Sequence, residues 1–245
     1  MILLEGSNPS PSANRTTVGN ARPARWGIPL SDAAPDHPAP AALAGHGSAT
    51  LGESGARRMA PRIRPVWPGA TVVGPAVPVR CTPGDNLGIH VAVTRAGVGS
   101  VLVVTVGAER EFGYWGEVLT TAAEVAGIAG LVIDGCVRDV DALATHGFPV
   151  FSTGIALTGA SKNRPGSVGA PVEVGGVEVA SGDWVVGDVD GVVVVPGAAL
   201  TDVLAAAAAR TATEVRLFAE LRAGRTTVEL LGLDPSAVAV EQPTA

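Results

Sequence analysis

Lysine is almost missing from this chain. Lys162 is the only one, and arginine supplies the remainder of the 17 basic residues. A Schiff-base enzyme needs a lysine whose amine is desolvated or otherwise held at a low pKa. Lys162 stands in the polar stretch Ser161-Lys162-Asn163-Arg164-Pro165-Gly166, beside an arginine, so Schiff-base chemistry is not expected. Cysteine is scarce as well. Cys81 and Cys136 lie far apart and make neither a CxxC metal site nor a disulfide framework. They read as buried thiols of a reducing cytosol. No apolar run reaches the roughly 18 residues of a membrane span, so no membrane association is expected. No basic segment followed by an apolar one opens the chain, so no secretory leader is expected and the location is read as cytoplasmic. The net charge is −6, and Arg57-Arg58 is the only adjacent basic pair. A nucleic-acid binder carries a basic stripe, so no nucleic-acid partner is expected.

Familiar catalytic signatures are absent too. There is no Gly-x-x-x-x-Gly-Lys-Ser/Thr, His-x-His, His-Glu-x-x-His or Gly-x-Ser-x-Gly sequence. Gly97-Val98-Gly99-Ser100 precedes a strand instead of following one, which makes it a poor dinucleotide loop and argues against a methyltransferase.

What is present suits one sizeable domain. The 245 residues are 47% hydrophobic and 16% charged, enough apolar material for a large core. Residues 1–38 are rich in Pro, Ser, Asn, Ala and Gly and read as a disordered or loosely attached tail. The domain is expected over 39–235, with 236–245 as a C-terminal tail. Residues 39–60 have weak helical character. Ala70–Cys81 is Val-rich but interrupted by prolines, which predicts a strand near a sheet edge. A helix follows to Arg95, with Asp85 as its N-cap. Val101–Val106 is a continuous apolar run, as in a strand buried on both faces. Trp115–Ala126 predicts a helix closed by Gly127. Strands follow at Leu131–Ile133, Pro149–Ser152, Val172–Val174, Val177–Val179, Trp184–Val186 and Gly191–Val195, with Gly175-Gly176 as a hairpin turn. A long C-terminal helix runs from Pro196-Gly197 to Arg222. The pattern predicts a single α/β domain, a mixed sheet flanked by helices.

Candidate chemistry gathers where a buried strand ends. Leu131-Val132-Ile133 runs into Asp134-Gly135-Cys136-Val137-Arg138-Asp139, and ligands of α/β sheets bind beyond the carboxyl ends of strands. Arg138-Asp139 is open to two readings. One is a cap or surface ion pair. The other is a divided site, with a guanidinium fork for a carboxylate and a hard oxygen for Mg2+ or Mn2+. Gly113-Tyr114-Trp115-Gly116-Glu117 opens a helix and is either a glycine-rich turn or a carboxylate cradle. Gly187-Asp188-Val189-Asp190-Gly191 reads as a tight turn. His90 reads as a structural residue and His146 as a surface one.

The ordered set Pro83-Gly84-Asp85-Asn86-Leu87, Gly116-Glu117, Val132-Ile133-Asp134-Gly135-x-x-Arg138-Asp139, Gly147-Phe148-Pro149-Val150-Phe151, Gly175-Gly176, Gly182-Asp183 and Asp188-x-Asp190-Gly191-Val192 to Pro196 resembles the RraA-like family. That family includes the 4-hydroxy-4-methyl-2-oxoglutarate/4-carboxy-4-hydroxy-2-oxoadipate aldolases and the regulator of ribonuclease E activity. The likeness covers roughly residues 40–235. It implies the swivelling β/α/β fold and an acidic residue, twenty intervening residues and then Arg-Asp. Here Glu117 is followed by residues 118–137 and then Arg138-Asp139. By the resemblance, Asp139 ligates a divalent metal, Mg2+ or Mn2+, and Arg138 binds the pyruvyl carboxylate. Gly116, Glu117, Val118 and Leu119 hold the substrate's pyruvyl end, and Glu117, an Asp in the aldolases, orders water at the metal. Glu214 is the counterpart of a glutamate that reaches the site of a neighbouring subunit, in a homotrimer or homohexamer with sites between subunits.

The resemblance therefore implies a metal-dependent aldolase that cleaves a 4-hydroxy-2-oxo acid to pyruvate and a second oxo acid. Oxaloacetate decarboxylation, which passes through the same enolate, is implied as a further activity. The alternative is a non-catalytic regulator that docks on a ribonuclease. The presence of both Arg138 and Asp139 favours the enzyme, because docking needs no metal ligand there.

Overall fold

The computed structural model describes residues 39–239. The expected N-terminal tail and residues 240–245 of the expected C-terminal tail lie outside the described residues. In chain order the elements begin with α1 (Ala39–Ala44), α2 (Gly47–Glu53), β1 (Arg57–Arg58), β2 (Arg64–Pro65), β3 (Val72–Arg80), α3 (Leu87–Arg95) and β4 (Val101–Thr105). Then come α4 (Glu117–Ala126), β5 (Gly130–Asp134), β6 (Cys136–Val137), α5 (Val140–His146), β7 (Val150–Ser152), β8 (Gly154–Ile155) and β9 (Ser167–Val168). The chain closes with β10 (Val172–Val174), β11 (Val177–Val179), β12 (Trp184–Asp188), β13 (Gly191–Val195), α6 (Leu200–Arg222) and α7 (Thr227–Leu231). Short 3-10 turns precede α6 at Gly197–Ala199 and follow α7 at Pro235–Ala237. No helix among the described residues is long and apolar enough to cross a membrane.

One sheet organises the molecule, in the order β1-β13-β12-β3-β4-β5-β7-β2, with β9 added against β3. The neighbours β3-β4-β5-β7 are parallel, and β1, β2, β9, β12 and β13 pair antiparallel, so the sheet is mixed as expected. The two end strands, β1 and β2, are separated by only five residues, 59–63. Such a linker spans at most about 21 Å, whereas eight flat strands would hold their edges about 34 Å apart. The sheet must therefore curl until its edges approach. Arg64 on β2 donates to the Asp190 carbonyl in the β12–β13 turn at 2.8 Å across that seam.

The curl explains the valine runs. In β4, Val101 and Val103 face the inside of the curl, where they meet Phe151 and the β10–β11 hairpin. Leu102 and Val104 face outward, under α3, α4 and α5. In β13, Val192 and Val194 point inward, while Val193 and Val195 pack under α1, α2 and α6. Both faces of each strand are covered, so alternation gives way to continuous hydrophobicity. Both glycines of the β10–β11 turn have positive φ, at 60° and 76°, as a tight hairpin turn requires.

The expected edge strand is in fact central. β3 lies between β12 and β4 and tolerates Pro75 and Pro78 because it changes partners along its length. Residues 72–75 pair with β12, residues 76–80 pair with β4, and residues 79–80 also pair with β9. Backbone N–H groups alternate sides, and that of Ala76 donates toward β12, to Asp183 O at 2.8 Å. Pro75 thus faces the β4 side before that ladder begins. Pro78 faces the other side, in the gap between β12 and β9. Neither ring removes a ladder bond. The structure also contains two-residue strands, β1, β2, β6, β8 and β9, which are too short to carry any periodicity.

Asp134, at the end of β5 and 5% exposed, ties the curl together. It accepts from Arg62 Nε and Nη2 at 3.1 and 2.6 Å, from Arg110 Nε at 2.9 Å and from Gly175 N of the hairpin at 3.3 Å. Burial pushes its pKa up, but the two guanidiniums and the Gly175 amide outweigh it and hold the carboxyl below the usual range. Its stabilising effect is full above the unfolded carboxyl's value near 3.9 and is lost as pH falls through the lower folded value. Asp134→Asn is expected to cost about 1–3 kcal/mol at neutral pH, with the gap to wild type closing as urea unfolding is repeated at more acidic pH.

Candidate functional site

The candidate site lies beyond the carboxyl ends of β3, β4 and β5, the position expected for a ligand in a parallel α/β sheet. After β5 the chain continues through β6, which pairs in parallel with β8. Arg138 is then laid against the segment before α4, its N–H donating to Trp115 O at 2.9 Å. Asp139 follows with φ 59° and ψ 39°, the only positive φ at a non-glycine among the described residues. That left-handed turn costs about 1–2 kcal/mol. It aims the carboxylate back at the start of α4, where Asp139 Oδ2 accepts from Glu117 N at 3.0 Å and stands 3.7 Å from Arg138 Nε.

This approach explains Gly116. A Cβ there would lie 2.3 Å from Asp139 Oδ2 and 3.2 Å from Arg138 Cγ. Its φ of −166° suits any residue, so the requirement is space alone. The flanking aromatics, both fully buried, pin the segment. The Tyr114 hydroxyl accepts from Gly84 N at 2.8 Å and donates to Glu109 O. The Trp115 indole N–H donates to Thr120 Oγ1 at 2.7 Å, and its ring stacks on Phe148 at 5.7 Å and 13°.

A cavity of about 200 Å³ opens between these parts. Of the residues given a site role from the sequence, Arg138, Asp139, Gly116, Val118 and Leu119 line it. Five lining residues were not expected there: Asn86, His90, Gly159, Ala160 and Lys162. Asn86 is the N-cap of α3 and donates from Nδ2 to Tyr114 O at 2.8 Å, while its Oδ1 is buried without a protein partner. The expected cap, Asp85, is one residue earlier and accepts from Leu87 N at 2.8 Å. His90 Nε2 is likewise buried and unpartnered, so His90 is a wall residue of the cavity and not only a structural one. Burial, helped by the Lys162 charge, lowers its pKa and favours the neutral ring. The sequence signal that could have found Asn86 and His90 is their spacing, i and i+4 on one helix.

The Glu117 backbone belongs to this cluster, but its carboxylate does not line the cavity. It is 58% exposed and stands 3.7 Å from His146 Nε2, and His146 Nδ1 lies 2.9 Å from Glu124 Oε2. His146 is at the surface, as expected. Glu214 is on α6, paired with Arg210 at 3.0 Å, and is not among the lining residues of this chain. Asp188 and Asp190 form the β12–β13 turn, as expected, where Asp188 accepts from Ser48 N at 2.7 Å and Asp190 N at 3.0 Å.

Arg138 and Lys162 face a single carboxylate, Asp139, so the cavity suits an anionic ligand. The first-turn amides of α4 add to this, because Val118 and Leu119 have no acceptor within the helix. Among the described residues no group of three or more His, Cys, Asp or Glu side chains could hold a metal ion. That does not fit zinc, which takes three or four protein ligands. A lone hard carboxylate does fit Mg2+ or Mn2+, which keep several waters and draw further oxygens from a substrate.

Fold and cavity thus define an α/β protein with a small cavity at the strand ends whose charge suits an anion. The RraA-like family model, described as Aldolase/RraA, matches residues 30–194, and the chain belongs to that family. A Halalkalibacterium halodurans protein named "Putative 4-hydroxy-4-methyl-2-oxoglutarate aldolase" is 37% identical over 134 residues, 55% of this chain and 64% of that protein. The match therefore spans just under two thirds of that relative. A crystal structure of an uncharacterized Pseudomonas syringae protein superposes with a TM-score of 0.69 at 30% identity, covering 77% of this chain and 90% of that one. A Streptomyces coelicolor structure, described as an unusual member of the RNase ES inhibitor RraA protein family, gives 0.65 at 28% identity, covering 76% and 98%.

Gly116→Ala is expected to lower stability by about 1–3 kcal/mol, because the new methyl must displace Asp139. Thermal unfolding checks it, with Gly45→Ala, where a Cβ would meet only ordinary contacts at 3.5 and 3.6 Å and φ is not positive, as the comparison for a glycine lost without crowding.

Proposed function

We propose that this chain is a divalent-metal-dependent aldolase. It would cleave a 4-hydroxy-2-oxo acid to pyruvate and a second oxo acid, and decarboxylate oxaloacetate as a further activity. The observation that carries this reading is the convergence of Arg138 and Asp139 on the start of α4, in a cavity whose charge favours an anion. The relative named for this aldolase activity supports it.

Arg138 would hold the pyruvyl carboxylate with its planar fork, and its charge would favour the negative charge that builds up on the 2-oxo group. The amides of Val118 and Leu119 would take the other side of the same unit. Asp139 would hold Mg2+ or Mn2+, and the ion when bound supplies Lewis-acid polarisation of the 2-oxo group. Cleavage breaks the C3–C4 bond. The C4 hydroxyl gives up its proton, the electron pair passes to the three-carbon fragment as an enolate, and C3 is then protonated. Glu117, whose backbone N–H bonds Asp139 while its carboxylate stands beside His146, would take the hydroxyl proton through water. Glu214 would serve the same step in a neighbouring copy.

That assignment of Glu214 requires an oligomer, a homotrimer or homohexamer, and α6 supports one. From residue 211 to 239 no residue is buried, and Val215, Phe218, Leu231 and Leu233 stand exposed. A projecting helix of this kind gains its stability from packing on a partner. Light scattering is expected to report a trimer or hexamer, and a monomer at micromolar concentration would remove Glu214 from the mechanism.

Pyruvate release is expected from 4-hydroxy-4-methyl-2-oxoglutarate and from oxaloacetate with Mg2+ and to stop with EDTA. Asp139→Ala should lower kcat/KM by at least about 100-fold. Arg138→Lys, which keeps the charge and loses the fork, should raise KM about tenfold. Full metal-dependent release by Asp139→Ala would sink the assignment. No release by the wild type, together with tight ribonuclease binding in a pull-down, would turn it to the docking role.

A further inference from the structure

Three residues of the cavity wall, Gly159, Ala160 and Lys162, belong to a loop with no regular structure of its own. The loop is held where Asp85 meets it. Asp85 is 1% exposed and does not line the cavity. Its Oδ2 accepts from Ser161 Oγ at 2.8 Å, Asn163 N at 2.7 Å and Arg164 N at 3.1 Å, so it grips both neighbours of Lys162. Its Oδ1 accepts from Leu87 N at 2.8 Å in the first turn of α3, the helix that carries His90. Two backbone bonds run alongside, Asn86 N to Ser161 O at 2.9 Å and Ser161 N to Gly84 O at 2.8 Å. Lys162 Nζ turns back to Ala160 O at 3.2 Å. One buried carboxylate therefore joins two walls of the cavity that are some 75 residues apart in sequence and places the only lysine of the chain.

We propose that Asp85 is a positioning residue that sets the width of the substrate cavity by clamping the Gly159–Arg164 loop to α3, and so governs substrate binding and not the bond-breaking step. The second half of this statement rests on the aldolase reading. Arg138 and Asp139 are held by the α4 start and by α5, neither of which Asp85 touches. Three donors converge on one oxygen, which suits a carboxylate. An amide in its place offers a single acceptor oxygen and cannot serve both Leu87 N and the loop.

The test is Asp85→Asn in the full chain, read by hydrogen exchange and by kinetics. Exchange of the amides across residues 159–164 is expected to rise about tenfold or more, with α4 and α5 unchanged. KM for the 4-hydroxy-2-oxo acid is expected to rise about tenfold, with kcat within about threefold of wild type. Asp85→Glu, which keeps both acceptors, should recover part of each effect, and Ser161→Ala, which removes one donor and threatens folding least, should show both effects in weaker form. Unchanged loop exchange in Asp85→Asn and Ser161→Ala would overturn the proposal. So would a loosened loop with unchanged KM, or a fall in kcat at constant KM. If the wild type releases no pyruvate, the aldolase reading fails on its own. Calorimetric titration of pyruvate with Mg2+ into wild type and Asp85→Asn then stands in for KM, and equal affinities, or no pyruvate binding to either, would sink the claim about the cavity.

Discussion

The site depends on one close approach, that of the Asp139 carboxylate to the backbone at Gly116 and Glu117. Asp139 reaches it only because its own backbone adopts the left-handed conformation, which few non-glycine residues do. Gly116 permits it only because it has no Cβ. The Glu117 amide rewards it with a hydrogen bond at 3.0 Å. The strain at Asp139 is thus offset by a contact that also turns the carboxylate toward the cavity. Arg138 is fixed by the same approach, since its N–H is bonded to Trp115 O and Gly113 leaves room for its side chain. The cost is local, and the buried aromatics Tyr114 and Trp115 give the segment the rigidity to bear it.

That rigidity comes from the way the sheet closes. Linking two end strands through five residues forces the curl, and the curl gives every central strand a covered face on both sides. Asp134 then joins the linker, the loop after β4 and the inner hairpin at the end of β5, five residues before the site's Asp139. Structural and candidate chemical carboxylates are therefore neighbours on one chain segment. Their surroundings separate them. Asp134 is buried and met by two guanidiniums, while the Asp139 side chain is 40% exposed on the cavity wall.

Some of this is legible in the sequence. Val101–Val106 reads as a doubly buried strand because both faces of β4 are covered, and Gly175-Gly176 reads as a turn because only glycine takes two positive φ values so easily. Arg138 and Asp139 stood out because they follow a buried strand directly. The prolines of β3 misled, since a change of pairing partner in mid-strand leaves no mark in local sequence. Asn86, His90 and Lys162 were missed as a group. They come from a helix and a loop that meet at Asp85 and at the backbone bonds beside it, and no spacing rule links residue 85 to residues 161–164.

The sequence by itself determined the α/β class, the order of the main strands and helices, the long C-terminal helix, and the Arg-Asp pair at a strand end. These follow from periodicity, turn chemistry and chain order, which are local. Only the tertiary structure decided that β3 is central, that the sheet curls, that the pocket wall includes His90 and Lys162, and that the Glu117 carboxylate stands by His146 and not in the cavity. Those outcomes depend on which distant backbone groups find one another and on the space a missing Cβ leaves. Both are properties of packing, which no short window of sequence contains.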